Sequence, residues 1–293
     1  MERRTTAFLD RLHPAVCFGF FLGAIVLSAT QQHPVYLGAG LLGALLLNLS
    51  MDGKRTAKKL LAFLPLALLV AVINPLFNTL GSTPLFFLWG RPYTLEALYY
   101  GFVIGGMLLG MFLWFSAYNA VLTVDKFSYL FGTLSPSLSL LLTTVFRMIP
   151  NLTRKLKQIM GARKGIGKAG GDTPRDRLNS GITAISVLTS WALEGGVTTA
   201  DSMNSRGYGT GKRTCFHNYR FSLLDFCLAA VLGLSWLGAL VGLFSGSGTE
   251  FFPEPHFAPV QPAVLSCYLI FLLTPTILNW KEELQWHILR SKI

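Results

Sequence analysis

From Arg11 to Asp52 the chain runs forty positions without a charged residue, broken only by the polar stretch Thr30-Gln31-Gln32-His33-Pro34. That break predicts two helices joined by a tight turn, over about 14–30 and 34–50. Four more apolar runs follow at about 60–80, 97–122, 226–244 and 262–280. Crossing a hydrocarbon core of about 30 Å at about 1.5 Å per residue takes roughly 20 residues, and each run is close to that length. The pattern predicts an all-α polytopic membrane protein with about six transmembrane helices. Four of them precede residue 122, and two, with a short tail, follow residue 222.

Two further uncharged stretches, 127–146 (FSYLFGTLSPSLSLLLTTVF) and 178–200 (LNSGITAISVLTSWALEGGVTTA), compete with this pattern. Charge decides against them, because Lys and Arg collect on the cytoplasmic side of a membrane. Under six spans, the basic residues Arg3, Arg4 and Arg11, then Lys54, Arg55, Lys58 and Lys59, then fourteen between 123 and 221, then Lys281, Arg290 and Lys292 all fall on one side. Only Arg91 falls on the other, and the last loop on that side carries Glu250 and Glu254 without a base. Letting both extra stretches cross would move nine bases, among them Arg147, Arg154 and Arg163, to the wrong face. Segment 123–221 therefore reads as a cytosolic or interfacial helical unit, with both chain termini in the cytosol. Arg3 and Arg4 precede an apolar run as in a signal peptide, yet no small-x-small cleavage site follows, so the run reads as a retained first helix.

Composition agrees with lipid as the main solvent. Charged residues make up 13% and hydrophobic ones 52%, and the mean hydropathy is +0.49; soluble domains carry about 25% charged residues. The net charge of +11 is explained by topology, and no aromatic-and-basic patch points to nucleic acid.

Punctuation divides the cytosolic segment. Ser135-Pro136 and Ile149-Pro150 mark helix starts or kinks, Gly165 to Gly171 (GIGKAGG) interrupts, and Asp172-Thr173-Pro174 opens another helix. A short helix over about 151–164 and a long one over about 175–205 are expected. On the second, Leu178, Ile182, Ile185, Leu188, Trp191 and Ala192 recur at helical spacing as one broad apolar face. Such a face requires a cover, from the membrane domain or from another protein. Within the spans, Gly19/Gly23, Gly101/Gly105, Gly106/Gly110 and Gly238/Gly242 repeat at four residues. That spacing serves close helix packing, within the chain or in a homodimer.

Several chemistries are absent from the sequence. No ionisable residue sits mid-span, whereas ion-driven transporters place them there; Glu96, Asp125 and Asp225 flank helix ends. The phosphate loop G-x-x-x-x-G-K-[ST] fails at Gly167-Lys168, since Ala162 and Ala169 stand where Gly and Ser or Thr are needed, and Gly211-Lys212 fails likewise. His13, His33, His217, His256 and His287 lack metal-site spacing, and Cys17, Cys215, Cys227 and Cys267 form neither a CxxC motif nor a disulfide framework. No catalytic residue, metal or cofactor is expected.

Both cytosolic helices end on an arginine followed by flexible sequence: Gly161-Ala162-Arg163-Lys164-Gly165, and Asp201 through Ser205-Arg206-Gly207 to Gly209. Capping alone accounts for such ends, since the helix dipole favours a terminal cation and Gly stops the helix.

The chain nevertheless resembles, over nearly its whole length, the T component of energy-coupling factor transporters, with the related cobalt and nickel uptake subunit. The resemblance is carried by the run from Ala200 to Gly209 (ADSMNSRGYG), by Gly211 to Thr214 (GKRT), by Asn74 to Asn78 (NPLFN), by Thr94 to Ala97 (TLEA) and by Trp191 to Glu194 (WALE). That family carries two short motifs, typically Ala-Arg-Gly, which map here onto Ala162-Arg163-Lys164 and Ser205-Arg206-Gly207, departing at the third and the first residue respectively. The resemblance implies a non-catalytic scaffold in a bacterial cell membrane. Its arginine ends would dock into two cytosolic ATP-binding cassette ATPase subunits, and the Leu178 to Ala192 face would hold a substrate-binding membrane subunit, the S component. An autonomous channel or facilitator is the competing expectation, and a membrane transferase acting on an anionic lipid a weaker one.

Overall fold

A computed structural model describes residues 7–78, 81–88, 91–167, 173–211, 219, 221–244, 249–250, 256–257 and 259–290. Expectations placed on Arg3, Arg4, Lys168, Lys212, Arg213, Cys215, His217, Glu254 and Lys292 lie outside the described residues. In chain order the elements are α1 (Ala7–Arg11), α2 (Pro14–Thr30), α3 (Pro34–Phe77), β1 (Pro84–Leu88), β2 (Arg91–Thr94) and α4 (Leu95–Val121). They continue with α5 (Val124–Leu134), α6 (Pro136–Gly165), α7 (Pro174–Ser205), α8 (Leu223–Phe244), β3 (Thr249–Glu250), β4 (His256–Phe257) and α9 (Pro262–Arg290). The chain forms two compact units: Met1–Thr123 with Tyr219–Ile293, and Val124–Asn218.

The first unit is a helical membrane body. Among the described residues, five stretches are long and apolar enough to cross a membrane: Pro34–Met51, Thr56–Phe77, Leu95–Val121, Leu223–Gly242 and Pro262–Glu282. The shorter apolar helix α2 adds 17 residues, about 25 Å of helix. The fold class expected from the pattern is the one observed, with two departures.

The first departure concerns α3, which keeps helical hydrogen bonding for 44 residues where a loop was expected near Lys54. It cannot be straight. The Thr56 hydroxyl donates to the carbonyl of Asn48, eight residues earlier, at 2.8 Å, whereas eight residues of straight helix span about 12 Å. The chain doubles back there while staying helical, so α3 supplies two spans. The second departure is that the loops after α3 and α8 contain small antiparallel hairpins, β1–β2 and β3–β4. Tyr93 of β2 stacks on Phe86 and donates to the Val72 carbonyl at 3.1 Å, tying its hairpin to α3.

Helix α4 lies against both limbs of α3. A Cβ at Gly101 or Gly105 would collide with the carbonyl oxygens of Ala71 and Ala67, while Gly106 and Gly110 face Leu37 and Leu41. The order of these pairs makes α4 antiparallel to the second limb of α3 and parallel to the first. Asn48 confirms the parallel pairing by donating to the Leu113 carbonyl at 3.0 Å and to Ala44 at 2.8 Å. Gly23 faces Trp236 and Phe271, Gly238 faces Cys267, and Gly242 faces Val264. All the paired glycines except Gly19 therefore serve packing within the chain. Where lipid is as apolar as the side chains, close van der Waals approach of this kind holds helices together. The core gathers Phe20, Trp114 and Phe271, with ring centroids 5.8 and 5.2 Å from Phe20.

Two charged groups at helix starts, Glu96 and Asp225, are buried and bonded. Glu96, in the first turn of α4, accepts from the Ser82 hydroxyl and from the amide and hydroxyl of Thr83. Asp225, in the first turn of α8, accepts from the amide and hydroxyl of Ser222 and, at 3.2 Å, from the amide of His13. His13 caps α2 through Nδ1, which accepts from Ala15 N. Burial holds its imidazole below the ordinary value of 6.5, against the opposing pull of the Asp225 charge. Arg11 pairs with Glu282 at 2.9 Å, joining α1 to α9.

Candidate functional site

The second unit, Val124–Asn218, contains every residue singled out for partner binding. Its two long helices start at prolines, where the missing N–H costs nothing. Helix α6 follows Ser135, and α7 follows Thr173, whose hydroxyl oxygen accepts from Asp176 N at 3.3 Å. The first helix is longer than expected. The segment 151–164 is the second part of a 30-residue helix, because Pro150 lies inside it without ending it. An internal proline forfeits one hydrogen bond to the preceding turn, and the neighbouring turns remain helical. Helix α7 has 32 residues and matches the expected 175–205 to within one residue.

The two helices run antiparallel. Lys155 Nζ stands 5.3 Å over the Trp191 ring. The earlier part of α6, from Leu140 to Arg147, lines a cavity of about 810 Å³ together with the last turns of α7, from Thr198 to Arg206. Arg163 and Arg206 therefore sit at opposite ends of the pair. Glu194, Arg147 and Arg206 all border the cavity.

Both ends turn on a glycine of positive φ. After α7, Gly207 takes φ +79; its N–H donates to Asn204 O at 3.0 Å, and Tyr208 N–H donates to Met203 O at 3.1 Å. These are the two bonds of a Schellman cap with Arg206 as the C-cap residue. After α6, Gly167 takes φ +72 and donates to Lys164 O at 3.1 Å, the same inner bond, with Ile166 as the C-cap. The turn is thus made at Gly167, not at Gly165, which the spacing had suggested. Arg206 and Arg163 are consequently not equivalent: Arg206 is the cap itself, and Arg163 stands three residues before its cap. Ala162, Lys164, Ser205, Arg206 and Gly207 are exposed. Arg163 is half-buried, and its Nε finds no hydrogen-bond partner among the described residues.

The broad face expected on α7 is split by the structure. Leu178, Ile182 and Ile185 are 65%, 58% and 62% exposed. Trp191 turns instead toward α6, under Lys155 and on the cavity wall. Leu188 and Ala192 are half-buried. Helical spacing placed these six residues within one wide arc, and only the position of α6 reveals that its two edges meet different surroundings. Sequence reasoning missed Lys155 and Arg147 as partners of α7, since neither carries a signal beyond its charge. Among the described residues, no three His, Cys, Asp or Glu side chains converge as metal ligands would.

Together, the apolar spans and the separate unit of long, arginine-ended helices define a multi-pass α-helical membrane protein. Residues 6–216 match the CbiQ family, described as cobalt transport protein. The chain belongs to that family, the T-component family of energy-coupling factor transporters. The match covers α1 to α7 and stops before α8. No curated protein matches the chain.

Proposed function

We propose that this chain is the transmembrane scaffold of an ATP-driven importer of the energy-coupling factor type. Two cytosolic ATP-binding cassette subunits dock on it, one at each arginine end, around Ala162-Arg163-Lys164 and Ser205-Arg206-Gly207. A separate membrane subunit captures the cargo and rests on the exposed Leu178, Ile182 and Ile185 of α7. The partners hydrolyse ATP. The family description points to cobalt, and the resemblance to vitamins as well, so the cargo class is a micronutrient.

The observation that carries this reading is the pair of glycine-turned, arginine-bearing helix ends at opposite extremes of one antiparallel pair. Two separated cationic tips suit two copies of one kind of acidic groove, which a guanidinium engages with paired hydrogen bonds. The basic bias of the short loops supports a cytosolic location for this unit and for both termini in a bacterial cell membrane.

Affinity purification of the tagged chain in mild detergent tests the proposal. Two ATPase subunits and a small membrane subunit are the expected companions. Recovery of the chain alone, from membranes in which it still supports uptake, would leave an autonomous facilitator as the explanation.

A further inference from the structure

The pair formed by α5 and the start of α6 is inside out for a protein surrounded by water. The limbs are antiparallel: the Ser128 and Thr143 hydroxyls meet at 3.0 Å, and the Ser139 hydroxyl donates to the Ser128 carbonyl at 3.4 Å. A Cβ at Gly132 would stand 2.9 Å from Ser139 Oγ. Small and hydroxylated residues therefore meet where the two limbs touch. The outside is aliphatic, for Leu138, Leu141, Val145 and Ile149 form one stripe along α6 and are 46% to 58% exposed.

Water favours the opposite arrangement, with aliphatic side chains buried between the helices and hydroxyls turned outward. In hydrocarbon the preference reverses, because acyl chains solvate aliphatic groups while hydroxyls must find partners inside the protein. Two features of the chain point the same way. No charged residue lies between Lys126 and Arg147, and the exposed Arg147 and Arg154 suit the anionic headgroups that border an acyl layer. Helix α5 has 11 residues, and at about 1.5 Å per residue it reaches only about half of a bilayer core. A helix with one apolar stripe, such as the start of α6, fits the plane of the interface.

We propose that the α5–α6 hairpin is embedded in the membrane interface, with Leu138, Leu141, Val145 and Ile149 against lipid acyl chains. None of the four stripe residues lines the cavity that Arg206 borders, so the proposal does not depend on ATPase docking.

Site-specific photocrosslinking in native membranes, with all partner subunits present, tests it. Benzoylphenylalanine replaces Leu141 or Val145 singly. Leu234 on α8, 72% exposed, serves as the lipid-facing reference, and Thr143, on the cavity wall, as the opposite face of α6. The expected result is a lipid-mass adduct at Leu141 and Val145, comparable in yield with Leu234 and several-fold above Thr143. An adduct with a second polypeptide at both positions would assign the stripe to a protein partner and overturn the proposal. So would a yield at Leu141 no higher than at Thr143 while Leu234 still reacts. Neither result bears on whether ATPases copurify, so failure of this inference and failure of the scaffold reading are separable.

Discussion

The ammonium of Lys155 lies 5.3 Å from the centre of the Trp191 ring, linking the middle of α6 to the middle of α7. The contact joins the helices that carry the two arginine ends. Replacing Lys155 by Met keeps the aliphatic stem and removes the charge. The expected loss is about 0.5–1 kcal/mol, the worth of a partly exposed cation–π pair. Trp191→Ala should cost more, because it also removes half-buried ring surface. Limited proteolysis of purified protein between α6 and α7 would show faster cleavage in both variants, with Trp191→Ala the faster.

Arg206→Glu reverses the charge at an exposed helix cap. Uptake should fall to background and ATPase copurification should weaken, while the amount of chain in the membrane is unchanged. Arg206→Lys keeps the charge but not the paired donors, and partial uptake is expected. Arg163→Glu should act in the same direction if the first motif docks as the second does. Normal transport in Arg206→Glu would remove the basis for ATPase docking at that end.

Gly101 and Gly105 touch backbone, where nothing yields cheaply. Overpacking typically costs about 1–3 kcal/mol, so Gly105→Val should lower the thermal midpoint in detergent and reduce the yield of folded protein. Gly19→Ala meets no atom within 4 Å and should leave both unchanged.

His13 provides a pH test with a definite sign. Its pKa is lowered in the folded chain, so the unfolded chain binds the extra proton more readily. Stability from this group is complete above about pH 6.5 and declines as pH falls toward the lowered value. Protonation of Nδ1 would also break the cap on Ala15 N. His13→Asn keeps a capping acceptor that does not titrate. The thermal midpoint of the native chain should therefore drop more steeply than that of the variant between pH 6.5 and pH 5. Parallel curves would mean that His13 makes no such contribution.

The spans were legible because lipid imposes a length and a polarity that few other environments require. Positions 34–50 and 60–80 emerged as two crossings although the chain stays helical between them. The intervening bend brings the Thr56 hydroxyl to the Asn48 carbonyl, a contact with no local sequence sign. The start of α6 was not legible. Ser135-Pro136 and Ile149-Pro150 are equivalent as punctuation, and packing decides that the first begins a helix and the second lies within one. Spacing identified the arginine ends but not their unequal placement, because the turn falls at Gly167 while Gly165 is equally permissive in sequence. The buried roles of Glu96 and Asp225 were missed for a related reason: their partners Ser82, Thr83 and His13 come from other segments.

The cap that closes α7 also determines its mechanical behaviour. The Arg206 amide is held by the carbonyls of Ser202 and Met203, and the next two amides return to Asn204 and Met203. The cap thus fixes the backbone on which the arginine stands, and under the proposed docking a displacement imposed there would travel along 32 residues, about 48 Å of helix. Lengthening the chain beyond Gly207 should leave this transmission intact, whereas inserting one residue between Met203 and Arg206 would turn the guanidinium through about 100° about the helix axis.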